Sequence, residues 1–169
     1  VKTLIVLRHA KTEADAVDDW HRNLTDRGRA QARSLGPDVA ELGLDDRLVV
    51  LVSTALRAAQ TWDEIQPALG PEVVVRETPA LYAFDEDEIL QVLREVDEDE
   101  EVIMIVGHNP GLSDLVVTLT GEELPDDRAV AKYGQLRTCR GAVLEYDGLW
   151  CDIDSKDCST QQYLSPGVD

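Results

Sequence analysis

Three runs of aliphatic, largely β-branched residues, Thr3–Leu7 (TLIVL), Leu48–Val52 (LVVLV) and Val102–Val106 (VIMIV), carry almost no polar interruption. A strand without polar alternation is buried on both faces, which calls for a mainly parallel sheet with helices packed on either side. The intervening segments fit that demand. From Thr25 to Leu42, apolar residues at Ala30, Ala32, Leu35, Val39 and Leu42 recur at near-helical spacing, with Thr25 placed to cap the first turn. Ala55–Leu69 reads as a helix closed by Gly70-Pro71, its regular part ended early by Pro67. Val73–Val75 is a short further strand. Asp85–Val96 and Leu112–Leu119 are two more helices. Ala142–Tyr146 and Trp150–Ile153 read as a hairpin across Asp147-Gly148 that adds an antiparallel C-terminal edge. The expected fold is α/β: a three-layer sandwich with a mainly parallel sheet, formed by residues 1–169 as a single domain.

Charge narrows the function. Sixteen Lys and Arg against thirty-four Asp and Glu give a net charge of −18. So acidic an exterior repels nucleic acid and anionic membranes, so neither is an expected partner. No stretch approaches the roughly 20 apolar residues needed to span a bilayer. The run Leu4 to Leu7 stops at Arg8 and His9 and is not read as a signal peptide. Three cysteines, Cys139, Cys151 and Cys158, are odd in number and lack the paired spacings of a zinc site. Cytoplasmic residence is the expectation, with Cys139 and Cys151 as buried free thiols.

In parallel sheets of this kind, ligands bind beyond the carboxyl ends of the strands. The first strand exits into Arg8-His9, the second into Ser53 with Arg57 shortly after, and the fourth into Gly107-His108-Asn109-Pro110. Topology therefore gathers two imidazoles and two guanidiniums at one rim. Each segment alone is compatible with a polar loop or tight turn. Together, in a chain of charge −18, they form a local positive cluster that folding does not require.

A metal site is one alternative, since His21 could add a third nitrogen. Arginines beside a cation oppose its charge, however, and no carboxylate is fixed nearby by spacing. A phosphoryl group suits the cluster better. Guanidiniums bind its oxygens, and a neutral imidazole kept deprotonated by neighbouring cations is a competent nucleophile. No metal or other cofactor is then expected.

Four segments carry a family resemblance: Leu7-Arg8-His9-Ala10-Lys11, Asn23-Leu24-Thr25-Asp26-Arg27-Gly28, Ser53-Thr54-Ala55-Leu56-Arg57-Ala58-Ala59-Gln60-Thr61 and Val106-Gly107-His108-Asn109-Pro110. In order and spacing, over about residues 3 to 150, the chain resembles the histidine phosphatase (phosphoglycerate-mutase-like) superfamily, in its short SixA-type branch of phosphohistidine phosphatases. The resemblance implies that His9 is the phosphorylated nucleophile. It implies that Arg8, Arg57 and His108 bind the phosphoryl group, with help from Asn109 and the backbone amides after Pro110. Ser53 and Thr61 are expected to support these groups, and Gln31 and Gln60 to be structural.

One departure bears on substrate. Larger members place an acidic proton donor in a Leu-x-Glu context after the third strand, whereas this chain has Leu81-Tyr82-Ala83-Phe84-Asp85. Either Asp85, Glu86 or Asp87 substitutes, or the reaction needs less proton donation. An imidazole is a far less basic leaving group than an alkoxide, so the second option favours P–N substrates. Asp15, Asp18, Asp19 and His21 are further candidates, read as a solvated acidic loop. Trp20 could flank a substrate, while Trp62 is read as core. The stretch from Glu77 to Glu101 is too short for the lid of the mutases, so an open rim is expected, suited to a phosphorylated protein side chain.

The expected activity is thus a phosphatase acting through phospho-His9, with a phosphohistidine-bearing protein as partner and the chain a monomer or weak dimer. A small-molecule phosphomonoesterase and a phosphate-recognising module without turnover are the alternatives.

Overall fold

The computed structural model describes residues 1–14, 17–82 and 85–169. A six-stranded sheet runs through it in the order β3-β2-β4-β1-β7-β8, formed by β1 (Lys2–Arg8), β2 (Leu48–Val52), β3 (Val74–Glu77), β4 (Val102–Gly107), β7 (Gly141–Tyr146) and β8 (Cys158–Leu164). A separate two-stranded ribbon comprises β5 (Ala131–Lys132) and β6 (Gln135–Leu136). β1, β2, β3 and β4 are mutually parallel, whereas β7 and β8 add antiparallel pairings on the far side of β1. The mainly parallel sandwich with an antiparallel C-terminal edge is the expected fold.

The uninterrupted apolar strands occupy the centre because each must bury both faces. Alternate residues serve the two layers, as the pleat dictates. Leu4, Val6, Val49, Leu51, Ile103 and Ile105 face a core shared with α3 (Glu86–Arg94) and α4 (Gly111–Thr120). Ile5, Leu7, Val50, Val52, Met104 and Val106 face the opposite core, shared with α1 (Asp26–Glu41) and α2 (Leu56–Ile65). β3, at the edge, is exposed along its whole length.

Local chemistry sets the helix ends. Thr25 Oγ1 accepts from the Gly28 amide at 2.9 Å, the N-cap bond that its sequence position predicts. Asp85 caps α3 in the same way, through the amide of Asp87 at 2.8 Å. Past Ile65, a 3₁₀ turn over Gln66–Ala68 contains Pro67, which ends the regular helix. Gly28 is fixed by contact: a Cβ there would lie 2.1 Å from the Lys11 carbonyl oxygen, so only glycine lets α1 abut the loop after β1.

The C-terminal hairpin differs from expectation. β7 pairs with β8, and Trp150–Asp152 forms a 3₁₀ turn. Trp150 and Ile153 are fully buried in the core beneath α3. The Trp150 indole donates to the Glu100 carbonyl at 2.7 Å, and its amide donates to Glu98 Oε1 at 2.7 Å. Burying a large ring with its N–H satisfied outweighs the strand preference of these residues. Cys151, expected to be buried, is exposed on this turn, whereas Cys139 and Cys158 are buried; all three are free. Among the described residues, no helix is long and apolar enough to cross a membrane.

Candidate active site

The strand ends converge as the topology requires. β1 leaves the sheet between β4 and β7, delivering Arg8 and His9 beside Gly107 and His108 at the end of β4. The His9 amide donates to the Gly107 carbonyl at 3.1 Å, and the His9 carbonyl accepts from Cys139 at 3.0 Å. The two imidazole centroids are 5.3 Å apart. Arg57, on the first turn of α2, is 1% exposed.

The ring of His9 is set by one contact. Its Nδ1 lies 2.8 Å from the Ala10 carbonyl oxygen. A carbonyl only accepts, so Nδ1 carries the proton and Nε2 presents its lone pair. Burial, then the neighbouring His108, Arg8 and Arg57, hold the ring well below the usual histidine range, opposed by the bond to Ala10. Burial and Arg57 push His108 down to about 3, so it too is neutral at pH 7. Ser53 Oγ is 2.7 Å from His108 Nε2 and also accepts from the Ala55 amide at 3.3 Å, which ties the end of β2 to the end of β4.

Around these groups lies a scaffold of side chains. Thr61 Oγ1 accepts from the Ala10 amide at 2.9 Å and donates to the Arg57 carbonyl at 2.7 Å. Gln31 accepts from the Lys11 amide, and Gln60 bonds Leu24 and Asn23. These three polar residues thus pin the loop after β1 to the two helices. Arg8 Nη1 donates to the Leu136 carbonyl at 2.9 Å, and Asn109 Nδ2 donates to the same oxygen at 2.8 Å. Asn109 Oδ1 accepts from the amide and hydroxyl of Ser113. The amides of Leu112, Ser113 and Asp114 all bond within the 108–110 turn, so the start of α4 does not offer those three donors to an anion.

Sequence reasoning missed two contributors, Arg22 and Tyr82, and read a third, the candidate acid Asp19, as part of a solvated loop. Asp19 belongs to a 3₁₀ turn, Asp19–His21, that folds across Arg57. It is therefore no part of a merely solvated loop, although Asp18 and His21 do pair with each other in solvent. Arg57 donates to the Asp19 carbonyl and carboxylate, and Tyr82 donates to the carboxylate at 2.6 Å. Arg22 lies 3.2 Å from Asp19 Oδ1; burial lowers the pKa of both Arg8 and His108, and the Arg22 charge adds to it. It is the third guanidinium of the cluster, flagged in sequence only by a cation standing directly before Asn23-Leu24-Thr25. Tyr82 sits edge-on to His108 at 5.7 Å, and Trp20, 39% exposed, packs on Tyr82 at 5.0 Å. Among the described residues, the rim is flanked by Trp20 from the loop after β1 and by Tyr82 from the turn before α3. Trp62 is core, as expected.

Of the candidate acids, Asp85 is committed to capping α3, and Glu86 accepts from Thr118 on α4 at 2.6 Å. Ala83 and Asp15 lie outside the described residues. Among the described residues, no group of three or more His, Cys, Asp or Glu side chains is placed to hold a metal ion.

The chain matches the model of the histidine phosphatase superfamily (branch 1) over residues 4–89. An uncharacterized protein of Mycobacterium leprae is 31% identical over 165 residues, covering 95% of this chain and 99% of that one. The phosphohistidine phosphatase SixA homolog of Haemophilus influenzae is 28% identical, over 79% of this chain and 86% of its own length. Among solved structures, a candidate phosphohistidine phosphatase SixA from Nakamurella multipartitia superposes with a TM-score of 0.80 at 28% identity, covering 98% of this chain and 96% of that one. With strand order, paired histidines and buried arginine all in place, the chain is a member of the histidine phosphatase superfamily, branch 1, and has SixA-type proteins among its relatives.

Proposed function

We propose that this protein, acting as one domain, is a metal-independent phosphatase that works through a phosphorylated His9. The carrying observation is the fixed tautomer of His9: Nδ1 is bonded to Ala10, which leaves Nε2 as a buried, uncharged nucleophile beside arginines. In the first step Nε2 attacks phosphorus, a new P–N bond forms, and the bond to the leaving group breaks. Arg8, Arg57 and His108 stabilise the charge on the nonbridging oxygens. In the second step water attacks the phosphohistidine, the bond to His9 breaks, and inorganic phosphate leaves. Asn109 holds the 107–110 loop in place through Leu136 and Ser113.

The substrate we favour is phosphohistidine on a protein. An imidazole leaving group needs little proton donation, which fits a site where Asp85 and Glu86 are engaged elsewhere. The SixA names among the relatives support the same class.

Two measurements test this reading. Brief exposure to a labelled phosphohistidine carrier protein, followed by denaturing quench, traps label on the wild-type chain and none on His9→Ala. Rates of phosphate release from that carrier exceed those from sugar and nucleotide monoesters. Equal turnover by His9→Ala overturns covalent catalysis, and a preference for monoesters overturns the substrate class.

A further inference from the structure

The 3₁₀ turn Asp19–His21 lays a carboxylate on the arginine that a phosphoryl group requires. Arg57 Nη1 donates to the Asp19 carbonyl oxygen at 2.8 Å and Nη2 to Oδ2 at 3.0 Å. The Tyr82 hydroxyl donates to the same Oδ2 at 2.6 Å, and Arg22 Nε lies 3.2 Å from Oδ1. One carboxylate thus collects hydrogen bonds from α2 and from the turn before α3, and an ion pair from the loop after β1. Charge-assisted bonds of this kind are also the ones a phosphoryl oxygen would make.

The carboxylate is held by polar contacts alone. Its side chain is 46% exposed, and its turn contains no buried residue. Arg57, by contrast, has a side chain only 1% exposed, packed inside the protein, and its backbone carbonyl is tied through Thr61 to the Ala10 amide. When a second anion enters, the arginine stays and the turn is the part able to yield. Like charges sharing one guanidinium repel strongly in a partly desolvated site.

We propose that Asp19 is a displaceable resident anion: it holds Arg57 while the site is empty, gives way to the incoming phosphoryl group, and by returning expels inorganic phosphate. This rests on the phosphoryl reading of the site given above. Product inhibition is then weak for a site with so many cations, and Trp20, next in the chain, moves with each cycle.

Titration calorimetry of the full chain with inorganic phosphate tests the idea, using wild type, Asp19→Asn, Asp19→Ala, Asp18→Ala and Glu13→Ala. Both Asp19 variants bind phosphate about tenfold more tightly, equivalent to roughly 1.4 kcal/mol, and their phosphate inhibition constants fall by the same factor. Asp18→Ala, which removes the cap of this turn at the His21 amide, shifts affinity the same way by less, and Glu13→Ala, an exposed acid of the same loop, binds as wild type does. Tyr82→Phe, which removes one donor to the carboxylate, shifts affinity in the direction of the Asp19 variants. Unchanged or weaker binding in both Asp19 variants overturns the proposal and makes Asp19 a positioning residue for Arg57. Binding by none of the proteins, wild type included, overturns the phosphoryl site itself.

Discussion

Ser53 Oγ and His108 Nε2 stand 2.7 Å apart, which makes a serine at the end of β2 the partner that orients an imidazole at the end of β4. Replacing the serine leaves the backbone of both strands intact but frees the ring to rotate. Ser53→Ala therefore lowers kcat/KM about five- to tenfold, the effect of one lost hydrogen bond of about 1 kcal/mol, with little change in Tm. His108→Ala removes the proposed donor to the phosphoryl group and costs about 10²–10³ in kcat. Steady-state kinetics on a phosphorylated carrier measures both.

Acid affects stability through the same histidines. His108 is held at about 3 by burial and Arg57, with Arg22 and Arg8 acting in the same direction and Asp19 opposing. The unfolded chain protonates this group near its ordinary value of about 6.5. Between those values the unfolded state binds more protons, so the stabilisation is complete above pH 6.5 and declines as pH falls toward 3. His9, also depressed, acts in the same sense. Urea unfolding of wild type and His108→Asn at pH 7.5, 6.0 and 4.5 shows a shallower loss in the variant. For the same reason, the acid limb of kcat/KM lies below 6.5 and not at it.

Gly28 is the packing position on which the loop after His9 depends most. A methyl group there meets the Lys11 carbonyl oxygen at 2.1 Å, and a backbone atom cannot step aside as a flexible side chain can. Gly28→Ala gains about 1 kcal/mol of helix propensity but incurs an overpacking cost of about 1–3 kcal/mol. The net outcome is a lower Tm together with reduced kcat, because Lys11 is two residues from His9, the proposed nucleophile. A Tm equal to or above wild type contradicts the contact.

Salt separates the long-range field from the site. With a net charge of −18, the exterior repels free phosphate esters before the arginine cluster attracts them. Raising ionic strength from 20 to about 150 mM shortens the screening length to about 8 Å, so kcat/KM for a small anionic ester rises. A carrier protein with a basic patch beside its phosphorylated residue shows the opposite trend.

Much of the scaffold is readable from the chain because its rules are local or periodic. TLIVL, LVVLV and VIMIV could only be central strands, and strand ends in a parallel sheet fall on one side, so Arg8, His9, Arg57 and His108 were gathered by topology alone. β8 was not readable. CSTQQYL is polar because an edge strand needs little burial, and it competed with Trp150–Ile153, whose strand-like composition serves a buried turn. The roles of Arg22 and Tyr82, and the placement of the candidate acid Asp19, escaped for another reason. They enter the site from turns, and no period in the sequence states which way a turn folds back.

β1 lies inside the sheet, with β4 on one flank and β7 on the other, and it carries His9, the proposed nucleophile, just past its tip. Neither neighbour can release it without breaking a full ladder of backbone bonds. Access to the reacting nitrogen must therefore be governed at the periphery, by the short turn above it, while the nitrogen itself is as immobile as the fold. Amide exchange should register that division, slow to the global limit at Ile5 and Val6 and fast at Asp19 and Trp20. Breathing at the mouth and unfolding of the domain are then two separate events, and sequence changes in one can accumulate without eroding the other.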